Sequence, residues 1–395
     1  MKIVLIAPNA GTDMGGEAIR VYMYFDFLLK AGYDAFLITH GRSRPTLTGA
    51  FPPERIRYVE DSPIQKLMWQ FRLPEQGINL YFHFRAARLC LEFDAADSVL
   101  HYLCPISPYE PRLPPKGYRY VLGPLSGNIY HPPAFRKRAG LRARLHKLAY
   151  RPVQTIAGWL FREKRGSAPV LVSGYDSTRE ALRWAGCSDA QMIAAPDSGI
   201  SDIMADLPPA VHEGRNGDFV FVGRLIELKG VDLAIKALAR AATDIRLTII
   251  GDGPERPALA QLAERLGVSE RVNFTAWMSS EQFGARLARA RGFVFPSLCE
   301  ANGIAMPEAM LIGLPVIALR WGGPAMQADD RQAIFIEPSG EEAVVIGIAE
   351  AMQKLAGDPE LAAQMGAAAR AHVLGPRSWE SVAQNWTQSY HRLET

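Results

Sequence analysis

The sequence predicts an α/β protein made of two doubly wound, Rossmann-like units in tandem. Three observations carry this. Short apolar runs alternate with longer amphipathic stretches along the chain, the pattern of parallel sheets covered by helices on both faces. The alternation restarts near residue 218, after the stretch DLPPAVHEGRNGD, which has two prolines, two glycines and no periodicity. The length of 395 residues corresponds to two or three domains at roughly 100–200 residues each.

In the first half the strand candidates are Lys2–Ala7, Ala35–Thr39, Ser98–Leu103, Arg119–Leu122 and Val170–Ser173. In the second half they are Phe219–Gly223, Arg246–Ile250, Val272–Thr275, Gly292–Pro296, Pro315–Leu319 and Ala333–Ile336. Helical patterns lie between them, among others at Gly230–Ala242, Pro257–Leu266 and Ser280–Ala290. The linker at Asp206–Asp218 divides an expected domain of 1–205 from one of 206–376. The closing segment Ser378–Leu393 is amphipathic and rich in Trp, Gln and Tyr.

Composition narrows the class. Cys90, Cys104, Cys187 and Cys299 are scattered with no CxxC pair, so neither a zinc site nor a disulfide framework is indicated, and a reducing compartment fits. MKIVLIAP is too short for a signal peptide core, and no run of 18 apolar residues occurs. The expected location is therefore cytoplasmic. The net charge of +3 divides into +9 over residues 1–200 and −6 over residues 201–395.

In doubly wound folds, ligands bind where strand ends lead into helix N-termini. Four such junctions stand out. In APNAGTDMGGEAI, Gly15 and Gly16 precede a helix, where backbone can approach an anionic group. In FVFVGRLIELK, a buried strand reaches Gly223, and Arg224 and Lys229 follow; a guanidinium fork and an ammonium suit a diphosphate. In IIGDGP, Gly251 opens a tight turn that lies close to a ligand. The fourth junction, GFVFPSLCEANGIAMPEAMLIGLP, places Glu300, Asn302, Gly303 and Ile304 in a loop and Glu308 in the helix after it. Paired carboxylates accept hydrogen bonds from sugar and ribose hydroxyls, and backbone N–H groups at Asn302–Ile304 can meet a phosphate.

Glu300-x7-Glu308 followed by AMLIGLPVIA resembles the signature of retaining glycosyltransferase family 4 and its GT-B relatives. GRLIELKG and IIGDGP are similar to that family's neighbouring motifs, and APNAGTDMGGEAIR, GPLSGNIYHPPAF and RSWESVAQNW resemble a bacterial subgroup. The resemblance implies a GT-B fold, with two Rossmann-like domains facing across a cleft and a terminal helix, 377–395, returning to the first domain. It implies a metal-independent transfer from a nucleotide-diphosphate sugar, UDP- or GDP-linked, with no further cofactor. The matches to Arg224 and Lys229 would hold the diphosphate, Glu300 the sugar hydroxyls, Glu308 the ribose, and Gly303 and Ile304 phosphate or sugar. Gly15–Gly16 would approach the diphosphate from the other domain. Asn302 stands where the family often has Phe. The family's histidine near the reacting sugar matches Leu103 or Cys104, which leaves His101 and His131 as candidates for that role.

Residues 136–151, RKRAGLRARLHKLAYR, carry Arg136, Lys137, Arg138, Arg142, Arg144, Lys147 and Arg151 and no acid. Apolar residues recur among them at helical spacing, as in a basic helix that lies on anionic lipid. The expected partners are a nucleotide sugar, a glycan or lipid-linked acceptor of cell-surface polysaccharide synthesis, and an anionic membrane surface on the inner face of the plasma membrane. No nucleic-acid recognition motif accompanies the charge. Two alternatives remain open: a nucleotide-sugar epimerase, and a non-catalytic sugar- or lipid-binding scaffold on the same fold.

Overall fold

The computed structural model describes residues 1–63, 65, 75–174, 176–200, 202–214, 216–276, 278 and 280–393, with the side chains of 75–76, 141–146, 202–203 and 280–281 excepted. The chain forms two compact units. The first comprises 1–128, 145–199 and 379–395; the second comprises 129–144 and 200–378. The expected division was 1–205 and 206–376; by contacts, residues 129–144, which include the first part of the basic stretch 136–151, group with the second unit.

The first unit holds a parallel sheet of seven strands: β1 (Lys2–Ile6), β2 (Ala35–His40), β3 (Ile56–Val59), β4 (Ser98–Tyr102), β5 (Arg119–Leu125), β6 (Val170–Val172) and β7 (Met192–Ala194). Their order is β3-β2-β1-β4-β5-β6-β7. The second unit holds β8 (Asp218–Val222), β9 (Arg246–Ile250), β10 (Val272–Thr275), β11 (Gly292–Phe295), β12 (Val316–Leu319) and β13 (Ala333–Ile336), in the order β10-β9-β8-β11-β12-β13. Both are doubly wound, and in each the strand order reverses beside the first strand, between β1 and β4 and between β8 and β11. Eleven of these strands correspond to the sequence expectations. The other two, β3 and β7, are the edges of the first sheet. Edge strands are short and half solvated: Arg57 interrupts IRYV, and MIA is only three residues long.

Burial on both faces follows the two-residue alternation of each strand. Ile3 and Leu5 of β1 enter one core with α1 (Gly16–Lys30), whereas Val4 and Ile6 enter another with α2 (Glu75–Cys90). Three further helices follow: α3 (Leu141–Phe161), α4 (Asp176–Trp184) and α5 (Val231–Arg240). In the second unit, one sheet face is covered by α5, α6 (Arg256–Arg265) and α9 (Glu341–Gly357). The other is covered by α7 (Ser280–Leu287), α8 (Ala305–Leu311) and α10 (Pro359–Val373).

The closing helix, α11 (Trp379–His391), packs into the first unit. Trp386 is fully buried and donates its indole N–H to the carbonyl of Pro196 at 2.8 Å. The Tyr390 hydroxyl lies 2.8 Å from the Tyr24 hydroxyl and 2.7 Å from His101 Nδ1. The other ring nitrogen of His101 lies 2.7 Å from the carbonyl oxygen of Gly123. His101 is thus a core residue with both nitrogens occupied. This corrects the expectation that it acts on substrate: a ring at 0% exposure with no free polar atom reaches no ligand. Burial pushes its pKa down from 6.5 to about 4.

That shift predicts an acid-sensitive terminal helix. A folded-state value below the unfolded one means the unfolded chain takes up the proton first, so stability present above pH 6.5 is lost as pH falls towards 4. The His101 contribution to that loss is on the order of 3 kcal/mol. Urea unfolding of His101→Gln should show a lower midpoint at pH 7 and a flatter decline between pH 6.5 and 4 than the parent protein.

Candidate active site

The loops that leave β8, β9, β11 and β12 are joined backbone to backbone. The N–H of Leu225 donates to the carbonyl of Asp252 at 2.9 Å, and that of Glu255 to Leu225 at 3.0 Å. Leu298 N–H reaches the carbonyl of Leu228 at 2.9 Å, and Gly323 N–H that of Glu300 at 2.8 Å. Such approach requires missing side chains. A Cβ on Gly251 would lie 2.0 Å from the carbonyl oxygen of Gly223, and one on Gly323 would lie 2.0 Å from that of Ala301. No rotamer change relieves a clash with backbone, so these positions demand glycine.

The stitched loops carry the expected side chains of the second unit. Lys229 closes a single helical turn, Glu227–Lys229, and its ammonium pairs with the carboxylate of Glu300. The two side chains are 20% and 13% exposed, so the pair is largely withdrawn from water yet open on one side. The Lys229 ammonium also sits 5.7 Å from the centre of the Phe295 ring, within cation–π range. Gly303, at φ +62, leaves room for Glu300: a Cβ there would stand 2.9 Å from Glu300 Cγ. Asn302 is held through its carbonyl by the Gln327 side-chain amide. Ile304 precedes α8 and is 40% exposed. Arg224 is exposed directly after Gly223.

Glu308 lies in α8, half-buried. Burial pushes its pKa up from 4.5 to about 7, and among the described residues no cation pairs with it. A carboxyl poised near neutrality, facing no cation, can accept hydrogen bonds from hydroxyls or donate one. Glu300 and Glu308 therefore differ in environment although both stand on the same loop and helix.

Two contributions were not legible from the motifs. The first is Gly322–Gly323 after β12, which supports the Glu300–Asn302 loop from beneath; a strand ending in WGGP was the signal. The second is the segment 129–144. The Trp321 indole donates to the carbonyl of Tyr130 at 2.8 Å, Phe135 enters the second unit's core, and Arg138 forks onto both carboxylate oxygens of Asp232 at 3.0 and 2.9 Å. Glu341 takes a further bond from Arg138 at 2.7 Å. This corrects the placing of Arg138 on a lipid-facing surface, because its charge is already matched by two acids. His131, on the same segment, is half-buried and its Nε2 makes no hydrogen bond. Burial pushes its pKa down, against the opposing charge of Glu227.

Of the remaining expected residues, Gly15 and Gly16 lie in the first unit at the start of α1, after β1, with open space where a Cβ would be. Arg136, Lys137, Lys147 and Arg151 are exposed, and the side chains of Arg142 and Arg144 lie outside the described residues. A cavity of about 420 Å³ lies in the second unit between α5 and α6, lined by Arg138, Glu227, Asp232, Lys236 and Leu259 among others. None of Arg224, Lys229, Glu300 or Glu308 lines it, although Glu227 of the turn that carries Lys229 does. Among the described residues no cluster of His, Cys, Asp and Glu is suited to a metal ion, and no helix is long and apolar enough to cross a membrane.

Residues 208–372 match the model of the family described as glycosyl transferases group 1. The second unit carries a group 1 glycosyltransferase domain. The chain is similar to a GDP-mannose-dependent alpha-(1-6)-phosphatidylinositol monomannoside mannosyltransferase of Mycolicibacterium smegmatis, 33% identical over 173 residues, 41% of this chain and 44% of that protein. It is also similar to the lipopolysaccharide core biosynthesis glycosyltransferase LpsE of Rhizobium meliloti, 29% identical over 197 residues, 50% of this chain and 53% of that protein. The chain thus spans about half the length of the curated relatives it matches. Among solved structures, Anabaena Alr3699/HepE in complex with UDP superposes with a TM-score of 0.69 at 16% identity, covering 99% of this chain and 100% of that one. The fold is GT-B, and the group 1 domain contains Arg224, Lys229, Glu300 and Glu308.

Two measurements follow from this geometry. Glu308→Gln should stabilise the protein at pH 8, because the parent loses stability as pH rises from 4.5 through the raised folded-state value near 7. The gain should reach as much as about 3 kcal/mol and vanish near pH 4.5. Gly323→Ala should cost about 1–3 kcal/mol through its clash with backbone, whereas Gly16→Ala should change stability by less than about 1 kcal/mol; thermal midpoints of both variants distinguish the two environments.

Proposed function

We propose that the protein is a retaining glycosyltransferase of family 4 that transfers a sugar from a UDP- or GDP-linked donor to a glycan or lipid-linked acceptor in cell-surface polysaccharide synthesis. It works without a metal ion, at the cytoplasmic side of the membrane. The observation that carries this reading is the Lys229–Glu300 pair on loops at the strand-order reversal of the second unit, with Glu308 on the helix that follows and no cation paired with it among the described residues.

The roles follow from charge and reach. Arg224 and Lys229 take the diphosphate and the negative charge that grows on it as the bond from the sugar's anomeric carbon to phosphate oxygen breaks. The bonding electrons leave with the nucleoside diphosphate. The acceptor hydroxyl forms the new bond on the same face, and its proton passes to the departing phosphate, so no side-chain base is required. Glu300 accepts hydrogen bonds from the sugar hydroxyls and keeps Lys229 in place. Glu308 receives the ribose hydroxyls. Gly15 and Gly16 offer open backbone to the diphosphate.

The test is thermal stabilisation by UDP, GDP, ADP and NAD. A ligand at 100 times its dissociation constant adds about 2.7 kcal/mol, a rise of several degrees. We expect a rise with UDP or GDP that is lost in Lys229→Ala and in Glu308→Ala, and nucleotide release from the matching sugar donor only when an acceptor is supplied. No rise with any nucleoside diphosphate, or an equal rise in both variants, overturns the reading. Release of an altered nucleotide sugar in place of free nucleotide would make the protein an epimerase.

A further inference from the structure

Helix α3 (Leu141–Phe161) leaves one side uncovered. Leu148 is 77% exposed, Ile156 63%, Trp159 61% and Leu160 61%. At about 100° per residue these four fall within one third of the helix circumference. Scattered exposed apolar residues are ordinary, but four large ones on one helix face, a Trp among them, are not.

The exposure is not that of a loosely held helix, because the opposite side is fixed. Gln154 is fully buried. Gly158 lies so close to the preceding layer that a Cβ would stand 2.1 Å from the carbonyl oxygen of Ala185. The Tyr150 ring packs 5.6 Å from that of Tyr109. Just past the helix, Lys164 pairs with Glu163 at 2.6 Å, both buried, and the carbonyl of Glu163 accepts from the Tyr120 hydroxyl at 2.8 Å. The helix is therefore seated with its apolar face outwards.

The chain that forms that face carries charge of one sign. The chain carries no Asp or Glu between Glu110 and Glu163. Arg151 is exposed on α3 beside that face, and Arg162 is exposed directly after the helix. A convex apolar face offers no groove to enclose a peptide. Bordered by cations and bearing an indole, it matches the interface of an anionic bilayer, where aliphatic side chains enter the acyl boundary and cations meet lipid phosphates.

We propose that this face of α3 docks the protein on an anionic lipid surface, with Leu148, Ile156, Trp159 and Leu160 inserted and Arg151 and Arg162 at the headgroups. This moves the contact from the cations at 136–138 to the second half of the helix. It deepens the proposed function by naming the surface on which a lipid-linked acceptor would be met, and rests on that reading only for the acceptor.

The test is co-sedimentation of the full chain with phosphatidylcholine vesicles, with and without phosphatidylglycerol, at low and high salt. We expect binding to the phosphatidylglycerol vesicles at least about tenfold tighter than to the neutral ones. Arg151→Gln should weaken it about fivefold, and the double variant Trp159→Ser/Leu160→Ser should abolish it, both with the parent's thermal midpoint and nucleotide response. A parent protein that stays in the supernatant at low salt overturns the proposal. So does a double variant that sediments like the parent, or a parent dimer that the double variant lacks in the absence of vesicle binding, which would make a second copy the occupant. Vesicle binding without any nucleotide response leaves the docking surface standing and removes the transferase reading instead.

Discussion

Backbone-to-backbone contact between strand-end loops is the constraint on which the second unit's site depends. A parallel sheet delivers its ligand-facing loops along one edge, but it does not make them touch. Here they touch because glycine stands where any side chain would intrude: Gly251 under the carbonyl of Gly223, and Gly323 under that of Ala301. Once the Glu300 loop is braced in this way by Gly323 and by Leu228, the Lys229–Glu300 pair needs little further ordering. A long lysine side chain held against a carboxylate and an aromatic ring has already lost most of its rotamer freedom. The charge pattern of the site is thus fixed by the fold before any ligand arrives.

Burial sorts the histidines by role more sharply than sequence position does. His101 sits on a strand end within a few residues of the place where the resemblance expects a reacting group. Its ring nitrogens are nevertheless taken by Tyr390 and Gly123, and it joins the terminal helix to the first sheet. His131 lies in an irregular segment with a free ring nitrogen and a carboxylate, Glu227, in its field. A side chain that bonds to a ligand must keep one polar atom unspent; of these two histidines His131 has one, and that nitrogen is buried.

The sheets and the donor motifs were legible because both rest on local patterns. Interior parallel strands are continuous apolar runs, and the strand–loop–helix of Glu300 and Glu308 occupies one short stretch of chain. What was not legible depended on distance in sequence. The edge strands β3 and β7 are defined by their neighbours and not by their own apolarity. The clasp of Arg138 on Asp232 and Glu341 joins residues up to 203 positions apart. From sequence alone, Arg138 belongs with the neighbouring cations; its two acid partners remove it from that group. The same reasoning applies to the helix at Leu148–Leu160, where the sequence shows apolar residues but not which of them are exposed. Its apolar side chains are conspicuous only when the buried side of the helix is known.

The two acids of the site show why a shared motif does not mean a shared state. Glu300 has the Lys229 ammonium against it, whereas Glu308 pairs with no cation among the described residues and burial raises its pKa. A second fixed negative charge near a diphosphate site would repel the ligand. A carboxyl that ionises near pH 7 need not carry that charge when a diphosphate approaches, and can still hydrogen-bond hydroxyl groups in either protonation state. The site therefore holds the cations Arg224 and Lys229 with one carboxyl group paired to Lys229 and a second whose charge can adjust. That balance favours an anionic ligand that also carries hydroxyl groups, which is the chemical description of a nucleotide sugar.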